Sequence, residues 1–403
     1  MDSISQIALG AAVGVAVMGR RTAPWKAALW GAVCGTLPDP DVLIRYGDPI
    51  SDMTRHRAHS HAPFWQTLAS LPLALIPAWL DRRNMPARQS YRGWLLLVWL
   101  ALVTHALLDA MTVYGTQIAL PFTDQPVGLG SVFIIDPLYT LPLLFALWPA
   151  VRLRGVAATQ RQPRLRAWRM SLAGLAVSSA YLAWGVVAQQ LVLDRVRSQL
   201  ASMPSVGAPP VERILVTPAP FNTVLWRVLI MRSDRYEEGF YSLLDDARPI
   251  RFASWRIDPS LFEQARDIAA VRRIAWFSRG FFRLDEKDGS VRITDLRMGQ
   301  EPFYVFSFEV ARRASPLQAV TPRAVGGRSG LDLGASLRWL MRRTLGEDID
   351  PPVQQQAGAP RRPPVPGQRY TPSHSFVLTV ALLPSAATSG RFKVNIVSGV
   401  TTA

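Results

Sequence analysis

Cysteine is nearly missing: Cys34 is the only one in 403 residues. An internal disulfide is thereby excluded, and so is every cysteine-based zinc motif. Within its apolar run Cys34 reads as a small hydrophobe. Charge is scarce as well. Asp, Glu, Lys and Arg make up 18% of the chain, below the rough quarter of an average soluble protein, and the deficit lies in the first half. Acidic residues are the scarcer sign, 29 against 45 Lys and Arg, which leaves a formal net charge of +16. Such a surplus invites a nucleic-acid reading. The basic residues, however, sit mainly in turns between apolar stretches and in the C-terminal half. That placement fits membrane topology and anionic lipid, and no nucleic-acid partner is expected. The opening Met1-Asp2-Ser3-Ile4-Ser5 carries no basic stretch, so a cleaved signal peptide is not expected and the first segment reads as an anchor.

Apolar sequence is what the chain has in abundance. Six segments, roughly 4–19, 25–38, 62–80, 93–113, 131–149 and 170–193, read as crossing or deeply entering a bilayer, where a full span takes about 20 residues. The first two are short and rich in small residues (Gly10, Ala11, Ala12, Gly14, Gly31, Gly35), which permit close helix contact. The expected fold for 1–193 is an α-helical integral membrane bundle of five or six hydrophobic segments. Arg20, Arg21 and Lys26 lie between segments one and two. Arg82, Arg83, Arg88 and Arg92 lie between three and four. Arg152, Arg154, Arg161, Arg164, Arg166 and Arg169 lie between five and six. With these loops in the cytoplasm the alternation holds throughout, and the loops 39–61 and 114–130 and everything after 193 fall outside. The protein is thus expected to be a multi-pass membrane protein.

Residues 194–345 change character. Short alternating runs at Glu212–Thr217, Thr223–Ile230, Gly239–Leu244, Phe281–Leu284, Val291–Thr294 and Phe303–Val310 read as strands. Lys287-Asp288-Gly289 reads as a turn, and Ser260–Ala270 as a helix started by Asp258 or Ser260. A small, sheet-rich α+β extracytoplasmic domain is expected, with Trp226, Trp255 and Trp276 as packing residues. From 346 onwards, Pro-rich composition predicts an extended, disordered tail, with an apolar run at Phe376–Leu383.

Four of the five histidines fall among the apolar segments. His105 and Asp109 are spaced i,i+4, one face of one helix. Ionisable groups near bilayer depth are rarely kept without use. His56 and His61 are five apart and converge only if the backbone between them turns. Ser60 is placed to cap a helix with Pro63 near its first position. His59 reads as a loop histidine, and His374 stands apart. Asp39 and Asp41 flank Pro40, and the prolines stiffen a bend at the rim. By the topology above, all these groups and Asp136 map to the outer face. Two carboxylates and several imidazoles form a mixed N/O set suited to one or two divalent ions, Zn or Mn foremost. The metal ligands expected are Asp39, Asp41, His56, His61, His105 and Asp109. Asp136 is a further ligand or supporting base, and Arg57 or Arg55 neutralises a phosphate. A polar network that merely packs helices remains the alternative.

Leu37-Pro38-Asp39-Pro40-Asp41, His56-Arg57-x2-Ser60-His61, His105-x3-Asp109-x2-Thr112-x2-Gly115 and Asp136-Pro137 together resemble the YdjM-like family of SOS-inducible, membrane-bound, predicted metal-dependent hydrolases. The resemblance covers about residues 1–150. It implies ligand roles for His56 and His61, for Asp39 and Asp41, and for His105 and Asp109. Many members carry Thr-His near the N-terminus, where this chain has Ser5-Gln6. A domain like the one after 194 accompanies a longer subgroup. The expected function is hydrolysis of an ester or phosphoester, lipid-linked or otherwise anionic, at the outer membrane face. A partner-binding envelope protein without catalysis and a transporter component using His105 and Asp109 remain as alternatives.

Overall fold

The computed structural model describes residues 1–82, 87–152, 161–203, 209–246, 248–326 and 332–352. Arg83, Arg154, His374 and the apolar run at 376–383 lie outside the described residues, as does the expected tail beyond 352. A helical N-terminal region is followed by a sheet-rich C-terminal domain. The helices are α1 (Ser3–Met18), α2 (Pro24–Thr36), α3 (Pro49–Arg55), α4 (Pro63–Leu73), α5 (Leu75–Leu80), α6 (Ala87–Ala110), α7 (Pro137–Arg152) and α8 (Arg161–Ser202).

Glycine decides how α1 and α2 meet. A Cβ on Gly10 would lie 2.2 Å from the Gly31 carbonyl oxygen, and one on Gly31 would lie 2.0 Å from that of Gly10. Gly14 and Gly35 repeat the pattern one turn along, so the two backbones touch directly. The long helix α8 does the same with a stripe of small residues. Ser171, Gly174 and Ser178 are buried against the bundle and Ala188 against the sheet domain, while Leu172, Val177, Trp184, Val187 and Leu191 face outward. α7 also turns Leu138, Leu141, Phe145 and Trp148 outward. Small and polar residues inside with large apolar ones outside is the pattern of a bundle solvated by lipid.

Among the described residues, two helices are long and apolar enough to cross a membrane, α6 over Ser90–Ala110 and α8. The other expected hydrophobic segments form shorter helices. α1 and α7 have 16 residues each and α2 has 13, and the third segment divides into α4 and α5 near Pro72. The basic ends of the expected cytoplasmic loops do gather at one end of the bundle. Arg164 donates to the Thr22 carbonyl at 2.9 Å, Arg20 lies over the Trp168 ring, and Thr22 donates to Asp81.

The C-terminal domain holds β1 (Arg213–Pro218), β2 (Leu225–Met231), β3 (Arg235–Ser242), β4 (Phe252–Arg256), α9 (Pro259–Ala265), α10 (Ala269–Phe277), β5 (Phe282–Lys287), β6 (Ser290–Asp295), β7 (Gly299–Gln300), β8 (Phe303–Tyr304), β9 (Ser307–Arg312), β10 (Gln318–Ala324) and α11 (Leu333–Thr344). They form two antiparallel sheets, β1-β2-β3-β4 and β10-β9-β6-β5, and a short ribbon β7-β8. The Asp288-Gly289 turn takes positive φ at both residues, the conformation that joins a tight hairpin with the strand twist. Two expectations change. The helix read over Ser260–Ala270 is two helices, α9 capped by Asp258 and then α10. The strand read over Phe303–Val310 breaks into β8 and β9. The 42 residues of α8 extend about 63 Å and carry Gln199 to the Ile250 backbone. Arg251 pairs with Asp348 at 2.5 Å and Asp350 at 3.3 Å.

Candidate metal centre

The centre forms where α2, the segment before α4 and the last turns of α6 converge. Pro38 and Pro40 cannot supply the amide hydrogens that further helical turns need. α2 therefore stops at Thr36 and the chain folds into a 3-10 turn, Asp39–Leu43. The Gly35 carbonyl is left among the unsatisfied acceptors of a helix end. It accepts from Nδ1 of the buried His105 at 2.6 Å. A carbonyl only accepts, so Nδ1 carries the hydrogen and Nε2 presents a lone pair.

His61 ends a second 3-10 turn, His59–His61, and is fully buried. Its Nδ1 lies 3.3 Å from Asp41 Oδ2 and 2.9 Å from the Ser60 hydroxyl. The carboxylate fixes the same tautomer as in His105, with Nε2 facing inward. The two Nε2 atoms stand 3.0 Å apart. Asp109 Oδ2 lies 3.3 Å from that of His61 and 3.7 Å from that of His105, and Asp39 Oδ1 lies 3.5 Å from His105 Nε2. One donor atom from each of Asp39, His61, His105 and Asp109 falls within 4.8 Å of all the others. Tetrahedral zinc with bonds of about 2.0–2.1 Å has donor–donor edges of about 3.3–3.4 Å, and the observed separations bracket that value. Asp109 Oδ2 is buried between Arg57 Nε at 3.1 Å and His61 Nε2 at 3.3 Å. With a metal bound, both Nε2 atoms would turn lone pairs to it.

Charge agrees with the geometry. Burial, then the neighbouring negative charge of Asp109, push the Asp39 carboxyl above the ordinary carboxylate range, as clustered acids do without a counter-charge. Burial works the same way on Asp41, but hydrogen bonds from His56, His61 and Ser60 overcome it and hold that carboxyl well below the usual range. For His61, burial opposes the charged form, and hydrogen bonds with Asp109 and Asp41 outweigh it and raise the pKa above 6.5.

The residues read as ligands from sequence divide. Asp39, His61, His105 and Asp109 form the four-group cluster. Asp41 and His56 stand beside it. Asp41 takes His56 Nδ1 at 2.6 Å, the Arg57 amide at 3.1 Å and the Ser60 hydroxyl, which occupies its oxygens with support of the surrounding loop. Ser60 therefore does not cap α4; the N-cap is Ala62, with Pro63 at the first position as expected. His59 is exposed against Trp65. Asp136 stands outside the cluster: it accepts from the Leu138 amide at the start of α7 and from the Tyr181 hydroxyl at 2.8 Å. Arg57, at φ +63, brings Nε to 3.1 Å from Asp109 Oδ2, donates to Thr112 and lies over the Tyr114 ring. Arg55 is exposed over Tyr46. Thr112 bonds the Asp109 carbonyl at 2.7 Å, and Gly115 turns the chain at φ +109.

Sequence reasoning missed several supports. Gln6 donates to Asp109 Oδ1 at 3.1 Å, and the Met1 terminal amine meets the same oxygen. A buried amide in an apolar helix was the available signal for Gln6. The sheet domain also reaches the centre's outer layer, which no local pattern announces. The Tyr114 ring meets His56, Phe277 and Phe306 edge-on at 5.6–5.8 Å. Arg297 donates to the Val113 carbonyl at 3.4 Å, and Arg273 to Thr54 Oγ1 at 2.8 Å.

Among curated proteins, the chain is 27% identical over 162 residues to "Uncharacterized protein YfhP" of Bacillus subtilis (strain 168), covering 37% of this chain and 47% of that protein. It thus spans about half the length of that relative. No solved structure gives a significant match. Residues 1–192, which include the whole Asp39–His61–His105–Asp109 centre, match the family model described as YdjM inner membrane protein.

Proposed function

We propose that the protein is a metal-dependent hydrolase of esters or phosphoesters, built into the inner membrane as a multi-pass bundle with its centre and sheet domain on the outer face. The observation that carries this reading is the donor spacing at Asp39, His61, His105 and Asp109, together with locked Nδ1 partners that aim both Nε2 lone pairs inward. The N2O2 donor set suits Zn or Mn. A divalent ion there supplies Lewis-acid polarisation and a nucleophile competent at neutral pH.

The chain's own residues do the rest. Asp41 holds the His61 ring and the Gly35 carbonyl holds that of His105, so neither has to reorient when the charge of the reaction develops. Arg57 places positive charge against Asp109 and is fixed there by Thr112 and Tyr114. Asp39 has the only partly exposed side chain of the four, so substrate approaches from its side. In hydrolysis, water oxygen bonds to phosphorus or the carbonyl carbon, the bond to the leaving oxygen breaks, and that oxygen takes a proton from the attacking water. The basic loop ends gathered away from the centre favour the outer-face orientation.

Metal analysis of the detergent-purified protein, beside the His61→Ala/His105→Ala double variant, tests the reading. The parent should hold stoichiometric metal after exposure to Zn or Mn, and the variant should lose both metal and turnover. A parent that takes up neither ion would end the proposal.

A further inference from the structure

The surroundings of the one accessible ligand point to the substrate class, and the argument rests on the hydrolase reading above. The side chains of His61, His105 and Asp109 are fully enclosed, whereas that of Asp39 is 27% exposed. Asp39 opens a 3-10 turn whose following residues are apolar and face outward. Val42 and Ile44 are exposed, and Leu43 is 78% exposed. Leu37, just before the turn, is exposed too. His61 is followed in the same way by exposed Phe64 and Trp65, and the Phe64 ring meets Phe122, itself 82% exposed, at 5.8 Å. Asp41 ties the two loops together through Ser60 and His61. Large apolar side chains at loop tips are costly in water and ordinary at a bilayer interface, where aromatic rings sit at headgroup depth.

One of these rims is continuous with the lipid-facing side of the bundle. Phe64, Leu68, Leu71 and Leu75 are exposed along one face of α4 and the start of α5, at the i, i+4, i+7, i+11 spacing of a single helical stripe. An apolar track therefore runs from the mouth of the centre down to acyl-chain depth. On the watery side, Arg45 and Arg55 are exposed close to the same turn, where they favour an anionic headgroup.

We propose that the substrate is an acyl-chain-bearing lipid of the bilayer, whose ester or phosphoester reaches the Asp39 side of the centre while its chains stay against the α4 stripe, and that the Val42–Ile44 turn and Phe122 dip into the interface to admit it. A soluble ester of the same chemistry lacks the part that the rim recognises.

The test uses full-length protein reconstituted in vesicles containing an anionic lipid and loaded with Zn or Mn. The probes are a chromogenic phosphodiester and a chromogenic carboxylester, each in a chain-free form and in a diacyl form embedded in the vesicle. Wild type should prefer a diacyl probe by at least tenfold in kcat/KM. Leu71→Asp and Phe122→Asp should remove most of that preference, leaving metal content, melting temperature and chain-free turnover unchanged. Equal efficiency on the paired probes, or variants that lower both forms alike, would overturn the lipid assignment and leave the hydrolase standing. If metal-loaded wild type cleaves none of the four, the hydrolase reading falls and the substrate assignment falls with it.

Discussion

Replacing Asp41 by Asn separates a supporting carboxylate from a ligand. Asp41 accepts from His56 Nδ1 at 2.6 Å, from the Arg57 amide at 3.1 Å and from Ser60, and it faces His61 Nδ1 at 3.3 Å. Asn preserves the volume but removes the negative charge and turns one oxygen into a donor. At least one of those four groups then meets a donor instead of an acceptor. The His61 ring loses the carboxylate that fixes its tautomer and makes Nε2 a stronger base. Outer partners of this kind are worth about 10–100-fold in metal affinity, or about 1.4–2.7 kcal/mol. The four donor atoms of the cluster remain, so stoichiometry should hold. Competition titration against a chromogenic chelator at fixed pH, with metal counted per chain, gives both quantities. An unchanged Kd would refute the idea that Asp41 orients His61. Complete loss of metal, equal to that in His61→Ala, would make Asp41 a direct ligand and refute the four-group assignment.

Other predictions follow from the same geometry. Because the His61 pKa is raised above 6.5 in the metal-free centre, its proton stabilises that state at lower pH, and the benefit is lost as pH rises through the raised value. Metal must displace that proton, so affinity should strengthen with rising pH, and calorimetry in buffers of different ionisation heat should register proton release; pH-independent binding from about pH 6 to 8, which spans an ordinary imidazole near 6.5, would contradict it. Gly31→Ala places a Cβ about on the Gly10 carbonyl, where backbone cannot yield, and should cost at least the ~1–3 kcal/mol of an overpacked core, read as a lower melting temperature in detergent. Phe277→Ala should cost about 3–5 kcal/mol as a cavity and also weaken metal binding, because Tyr114 loses its brace; Ile230→Ala, in a cluster that does not touch Tyr114, should lose stability alone. Arg227 pairs with the buried Glu238 at 2.5 Å, so Arg227→Met alone should destabilise by about 3–5 kcal/mol while the Arg227→Met/Glu238→Leu double variant recovers much of the loss; a double variant worse than the single would speak against an uncompensated charge as the cause.

The sequence by itself determined the features that depend on local pattern. Helix after helix followed by short strands was legible from hydrophobic period. The His105–Asp109 pair followed from i,i+4 spacing, and the Asp39 and His61 loops from the prolines that end α2 and open α4. The glycines of α1 and α2 were legible as a contact face because nothing but a missing Cβ allows backbones to touch. Only tertiary structure decided which members of a six-residue set share one point in space. Asp41 and His56 have the same chemistry as Asp39 and His61, and they differ only in which way their turns aim them. It also moved Asp136 out of the cluster, because the start of α7 and Tyr181 claim its oxygens. Likewise the reach of Phe277, Phe306 and Arg297 to the centre's outer layer joins residues more than 150 positions from Tyr114 and Val113. Periodicity reports which face of an element is buried, and only packing reports what it is buried against.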